Sequence, residues 1–387
     1  MTPLAEADWL NALIGFLQAA QLGLLRLLAW LGIAGTSHGQ PAWPWALRLS
    51  GENLLIDLGQ ARRLALTLVA LAAAVLALLL ALAWRRRRLV LIAVVPLLLA
   101  VAPWPEAHVV LVPAYPTSFH RSPTGFSAAS VAEGRALYAQ HCIGCHGADG
   151  RGQGPLAAAQ VVWPPNLAGP LLWRRADGDL LWRVLHGTQD RRGAPTMPAF
   201  GTRLGEREAW ALIDFMKAQG AGQSLRATGL WAQPIGLPDV TVRCEGRAPR
   251  TLASWRGQRL RIVASSAAAP LLEDPRLVTV LLLPPNHTAS PAAGIDCIAD
   301  PTAWDAFALI AGTAQLDGTQ LLADREGWLR ARSAPGQAGW SEDDLLCRTE
   351  ATAREPRTAS PAPDGLGALI ARMDAEPVRF VKGGFVH

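Results

Sequence analysis

The chain is short of the side chains that gather metals into clusters: its 387 residues include 4 Met, 8 His and 5 Cys. No Met-rich or His-rich tract exists, which excludes copper handling through repeats of that kind. Charged residues are also scarce, at 17% against 50% hydrophobic. The surplus of Lys/Arg over Asp/Glu is +4 for residues 1–103, +3 for 104–232 and −2 for 233–387. No basic helix or aromatic-interleaved basic patch accompanies that surplus, so nucleic acid is not an expected partner.

The shortage of charge is sharpest in residues 64–84, which contain none. As a helix this stretch is about 30 Å long, enough to cross a bilayer, and it has no polar face. Arg85-Arg86-Arg87-Arg88 follows, and then residues 89–103 are apolar apart from the break at Pro96. Four arginines between two apolar segments belong in the cytoplasm by the positive-inside rule, so the second segment runs outward. Pro103-Trp104-Pro105 then reads as an interfacial exit with a Trp anchor. Residues 9–34 are interrupted by Gln18, Gln21 and Arg26 and admit two readings, a first span or an interfacial amphipathic helix. They lack the short, basic start of a cleavable signal peptide. Residues 1–105 are therefore expected to form a membrane anchor with two or three transmembrane helices, in contact with the lipid bilayer. His38, in the loop beyond residue 34, stands alone and makes no metal site.

Two of the five cysteines fall in Cys142-Ile143-Gly144-Cys145-His146, the attachment signature of a c-type haem. The thiols add to the haem vinyl groups, and His146 ligates the iron from one face. A second axial ligand is needed for a six-coordinate electron-transfer haem, and Met opposite His raises the potential. Met197 is the leading candidate, in the loop Gly193-Ala194-Pro195-Thr196-Met197-Pro198, where the prolines are expected to exclude regular structure and hold the chain stiff. Met216 lies in a run of helical apolar periodicity and reads as core. His186, at the end of a helix-like run before Gly187, is the second choice, and its bland role is at a helix C-terminus. One covalently bound haem c and single-electron transfer are the expectation.

Around this motif, residues 114–219 resemble a class I cytochrome c domain. The phrases Ala114-Tyr115-Pro116-Thr117-Ser118-Phe119, Ser130-Val131-Ala132-Glu133-Gly134, Asp177-Gly178-Asp179-Leu180-Leu181-Trp182 and Met197-Pro198-Ala199-Phe200 are similar to the cytochrome portion fused to copper-resistance D-like (CopD-like) bacterial membrane proteins. The resemblance implies an all-α monohaem domain over residues 114–220. It implies haem attachment outside the cytoplasmic membrane, hence a bacterial inner-membrane protein with its cytochrome and C-terminal domains in the periplasm. By the same resemblance Pro155 occupies the position whose carbonyl takes the ring proton of the ligating histidine. Leu167 and Trp182 are then haem-wall residues or ordinary core. Full CopD-like proteins carry a larger multi-helix membrane domain than the three candidate spans found here.

Composition shifts after Gly220-Ala221-Gly222-Gln223-Ser224, which reads as a linker. Beyond it, β-like runs at 240–243, 260–264, 278–283, 320–323 and 328–331 alternate with helix-capable stretches, the pattern of an α/β layer fold. Residues 252–263 resemble the first core strand of a thioredoxin-like domain, and 322–331 its β-hairpin. Residues 233–387 are accordingly expected to form a degenerate thioredoxin-like domain. Its Cys pair is missing: Ala267-Ala268-Ala269-Pro270 stands where a low-pKa thiolate and its partner would be needed. Cys244, Cys297 and Cys347 suit one disulfide and one remaining thiol in an oxidising compartment, and spacing does not choose the pair.

The expected architecture is thus multi-domain: transmembrane helices, a cytochrome domain and an α/β domain. The expected activity is electron transfer rather than enzymatic bond chemistry, between a redox protein donor and acceptor that are themselves membrane-bound. The alternative is a structural or electron-relay subunit of a larger membrane respiratory or copper-handling complex. A basic rim of Arg174, Arg175, Arg191 and Arg192 is placed to steer an acidic partner.

Overall fold

The computed structural model describes residues 3–169, 173, 175–266, 274–285, 297–333, 337, 339–346, 365–378, 381–382 and 385–386, with side chains from Trp9 to residue 378. The chain divides into two units. The first comprises Met1–His120, Arg174–Asp179 and Val381–His387, and the second Arg121–Trp173 and Leu180–Phe380.

In the first unit, α1 (Pro3–Trp30) leads to two short strands, β1 (Thr36–Ser37) and β2 (Gln40–Pro41). They form a hairpin whose turn residues His38 and Gly39 both have positive φ, as a two-residue hairpin turn requires. Next come β3 (Leu47–Leu49) and α2 (Leu58–Ala83), the latter capped by Asp57, which accepts from the Gln60 backbone N–H at 3.0 Å. The 26 residues of α2 make a helix about 39 Å long. Among the described residues, Trp9–Trp30 and Leu58–Ala83 are the two helical stretches long and apolar enough to cross a membrane by length and composition. The four exposed arginines make a tight turn into α3 (Arg88–Val101), whose 14 residues include Pro96. Its length of about 21 Å falls short of a full hydrocarbon crossing.

Helices α2 and α3 form a hairpin fastened at the end away from the arginines. Thr67 Oγ1 donates to the Pro103 carbonyl at 3.1 Å, and the Glu106 N–H donates to Gln60 Oε1 at 2.9 Å. At that same end, the short helix α4 (Ala107–Val110) leads to β4 (Leu111–Pro113), which pairs antiparallel with β3. Leu10, Ile14 and Leu17 of α1 pack on Leu54, Ala61, Leu64 and Val110. The segments on either side of the α2–α3 hairpin are thereby held together, far from the arginine turn.

The second unit begins with α5 (Ala128–His141), capped by Ser127, and α6 (Ile143–His146). Then follow α7 (Asp177–His186), whose residues 177–179 belong to the first unit, the strands β5 (Thr188–Gln189) and β6 (Pro195–Met197), and α8 (Glu206–Thr228), which ends on Gly229 in the left-handed region. Helices α5 and α8 cross at Gly134, where an added Cβ would stand 2.0 Å from the Ala211 carbonyl oxygen. Tyr138 packs on Phe215 nearby, with ring centroids 5.1 Å apart. Gly134→Ala is expected to cost about 1–3 kcal/mol by forcing the helices apart. Thermal unfolding checks it, and an unchanged Tm would show that the crossing tolerates a methyl group.

The sheet that follows is built from β7 (Thr241–Cys244), β8 (Arg250–Thr251), β9 (Leu260–Ala264), β10 (Val278–Leu282) and β11 (Cys297–Ala299). Helix α9 (Trp304–Ile310), β12 (Gln320–Ala323), β13 (Leu329–Ser333) and α10 (Gly365–Ala375) complete it. The strand order is β13-β12-β9-β10-β11-β7-β8. Central β9 is buried along its whole length, parallel to β10 and antiparallel to β12. Register also selects the disulfide: Cys244 on β7 faces Cys297 on β11, and the two are bonded. Cys347 lies outside the described residues.

The linker expected at residues 220–224 is instead the continuation of α8. Its small residues serve close packing rather than flexibility. A Cβ on Gly222 would come 1.8 Å from the Leu309 carbonyl oxygen of α9, and one on Gly220 2.9 Å from the Trp173 indole nitrogen. Trp231 Nε1 donates to the Ile310 carbonyl at 3.1 Å. The helices around the Cys-x-x-Cys-His motif and the sheet consequently share one hydrophobic core.

Candidate functional site

Cys142 terminates α5 and opens the single turn of α6, with the His146 N–H donating to the Cys142 carbonyl at 2.9 Å. Residues three and four apart on such a turn share one face, so Cys142, Cys145 and His146 are presented together. Both thiols are free and half-buried. The following loop wraps back over the turn. Gly152 N–H donates to the His146 carbonyl at 2.8 Å, Gly154 N–H to Cys145 at 3.0 Å, and Leu156 N–H to Gly144 at 2.8 Å. Tyr138 Oη ties the loop to α5 through the Gly147 carbonyl, at 2.8 Å.

Burial, and then the neighbouring Cys145, push the Cys142 thiol up to about 12. It is therefore a neutral thiol, unlike the thiolate of a disulfide oxidoreductase. Burial also holds the His146 imidazole below its ordinary value, against the opposing pull of a hydrogen bond to Pro165. The ring is neutral, and its Nδ1 lies 3.4 Å from the Pro165 carbonyl oxygen. With Nδ1 directed at a carbonyl, Nε2 is the nitrogen left for a metal. Two reduced thiols and one oriented neutral imidazole are the donor set that haem c needs, so the residues present fit that cofactor.

The ring partner corrects the expectation for Pro155. Pro155 sits between the two backbone bonds made by Gly154 and Leu156, which hold it alongside Gly144 and Cys145. Pro165 reaches the ring instead because Gly152, at φ +78°, lets residues 164–165 approach. A Cβ there would lie 2.1 Å from the Pro164 carbonyl oxygen. The sequence signal for this is the Pro164-Pro165 pair before Asn166.

Met197 lies on β6, paired with Thr188 of β5, half-buried and packed against the main core. A bulged hairpin thus forms despite the flanking prolines. Thr188 and Thr196 join across it through their hydroxyls at 2.8 Å, and Pro195 occupies an edge strand, where a missing N–H is harmless. Both ends of the hairpin are fastened to α7. Gly187, at φ +73°, abuts Met197 so closely that a Cβ would stand 2.5 Å from its carbonyl oxygen. On the far side, Phe200 and Gly201 donate to the Val184 and Leu185 carbonyls at 3.1 and 2.8 Å. Met216 is buried in the core of α8. His186 is exposed and stacks on half-buried Trp182 with centroids 3.6 Å apart, its Nδ1 3.2 Å from the Trp182 carbonyl oxygen. Leu167 is buried, its N–H bonded to the Gly150 carbonyl at 2.7 Å. Among the described residues no group of three or more His, Cys, Asp or Glu is arranged to hold a metal ion.

Residues 129–216 match the family of cytochrome C oxidase, cbb3-type, subunit III. The chain therefore contains a c-type cytochrome domain, which implies haem c, redox partners and haem-based electron transfer. Among solved structures, it is similar to a chain of the reducing HAO-like protein complex of Kuenenia stuttgartiensis. The identity is 22% over 33% of this chain and 58% of that one, with a TM-score of 0.23. This chain thus spans little more than half the length of that relative, and a likeness so slight carries no argument about function. No curated protein matches the chain.

Proposed function

We propose that the protein is a membrane-anchored, periplasmic monohaem c-type cytochrome that passes single electrons between redox protein partners. The observation that carries this reading is the reduced Cys142/Cys145 pair on one turn with His146, whose ring is turned by Pro165, inside a segment that matches a cytochrome family. Bound haem c supplies a one-electron iron couple. Cys142 and Cys145 would hold the group covalently, and His146 and Met197 would supply the nitrogen and sulfur that ligate its iron. Pro165 keeps the imidazole in one tautomer, and Leu167 and Trp182 exclude water from the haem wall.

Anchoring is supported by the two long apolar helices and by the α2–α3 hairpin. With the arginine turn in the cytoplasm, the hairpin's other end and the chain beyond it lie outside, where haem c is attached. The C-terminal sheet reads as thioredoxin-like from β9 lying parallel to β10 and antiparallel to β12, with β12 and β13 as a hairpin. Residues 267–270, where a redox cysteine pair would belong, lie outside the described residues, and their sequence contains no cysteine. A second reading is an electron-relay subunit of a larger respiratory complex, favoured by the matched family being that of an oxidase subunit.

Expression with c-haem maturation should give a membrane-bound chain with one haem per polypeptide, its cytochrome domain open to protease from the periplasmic side. Recovery in the soluble fraction, or a ratio of two, would overturn the proposal. Arg191 and Arg192 are exposed at the tip of the Met197 hairpin. Arg191→Glu with Arg192→Glu is expected to slow electron transfer with an acidic partner about tenfold at low salt, the lower end of electrostatic steering. A wild-type, salt-independent rate would remove that role.

A further inference from the structure

Arg48 is almost wholly buried, a costly place for a guanidinium unless its charge is met. It is met twice: Nη2 lies 2.7 Å from Glu52 Oε1 and 2.8 Å from Asp179 Oδ2. Asp179 is equally hidden, and its other oxygen accepts from Ser118 Oγ at 2.5 Å. One residue earlier, Thr117 Oγ1 donates to the Gly178 carbonyl at 2.6 Å, and a Cβ on Gly178 would stand 1.7 Å from the Thr117 carbonyl oxygen. All these groups belong to the first unit, yet Gly178 and Asp179 form the first turn of α7. The rest of α7 belongs to the second unit, with Leu180, Leu181, Val184 and Leu185 in the main core. Its last turn holds both ends of the Met197 hairpin.

The geometry points to Arg48 and Asp179 as positioning residues for the second axial ligand: they pin the start of α7, and α7 carries the Met197 hairpin at its other end. This rests on Met197 being that ligand. Neither residue touches the ligand loop. Each acts by fixing the first turn of the helix. A first turn loosened by loss of the pair lets the far end of α7 move, and the thioether then yields more easily to a competing ligand. Asp179 also lies in the first turn of α7, where a carboxylate favours the helix dipole, so its replacement frays that turn.

The test is displacement of the ligand from the ferric haem by imidazole in the full-length, haem-loaded protein in detergent, read at the far-red band. Arg48→Met should lower the half-displacement concentration about tenfold, equivalent to about 1.4 kcal/mol. Asp179→Asn, which keeps the shape and an acceptor for Ser118, should shift it in the same direction by less. Gln60→Leu removes a buried contact of the same unit remote from α7 and should leave the curve in place. Wild-type curves for both Arg48→Met and Asp179→Asn would overturn the proposal, as would an equal shift for Gln60→Leu. Met197→Ala is run alongside. If it keeps the wild-type band, Met197 is not the ligand and the inference falls with it. If it loses the band while the other curves stay unmoved, the positioning role alone is refuted.

Discussion

Serine at both Cys142 and Cys145 is expected to abolish the haem-stained band after denaturing electrophoresis. On the proposed attachment two thioether bonds would hold the group, and they would survive when the fold does not. With both sulfurs gone, only the proposed His146 ligand and the packing of the pocket would be left to hold the group, and detergent and heat would remove both. The single variant Cys145→Ser keeps one possible thioether and should give a weakened band. Both thiols lie free and half-buried on one turn, so neither is committed elsewhere, while Cys244 and Cys297 are already joined in the sheet. A fully stained band from the double variant would contradict the attachment site outright.

Met197→Ala is expected to remove the thioether ligand and lower the reduction potential on the order of 100 mV. That is a modest share of the roughly 0.8 V over which axial ligands move haem potentials. A methionine sulfur opposite imidazole favours ferrous iron, and alanine offers nothing in its place. His186→Ala serves as the comparison. His186 is exposed and stacked on Trp182, so its loss should leave potential and spectrum unmoved. An unchanged potential in Met197→Ala with a shifted one in His186→Ala would reverse the assignment.

Much of this was legible in the sequence where local rules suffice. The uncharged run before the arginines became α2, and the runs at 260–264 and 320–323 became β9 and β12 with those bounds. What escaped depended on contacts distant along the chain. Pro165 rather than Pro155 meets the His146 ring because a glycine at position 152 lets one loop segment pass another, a three-dimensional fact without periodicity. Cys244 and Cys297 pair because two strands align in register, which spacing alone cannot specify. The glycines at 220 and 222 suggested a linker because glycine loosens isolated chains. In α8 they permit close approach by the Leu309 backbone and the Trp173 indole. Arg48 and Asp179, 131 positions apart, gave no sign of each other.

A redox titration of the purified protein, followed from the visible into the near infrared, tests the central claim most directly. One haem with a positive midpoint potential and a weak far-red band in the oxidised state is the expected result for His146 and Met197 as axial ligands. A clearly negative potential without that band would contradict it.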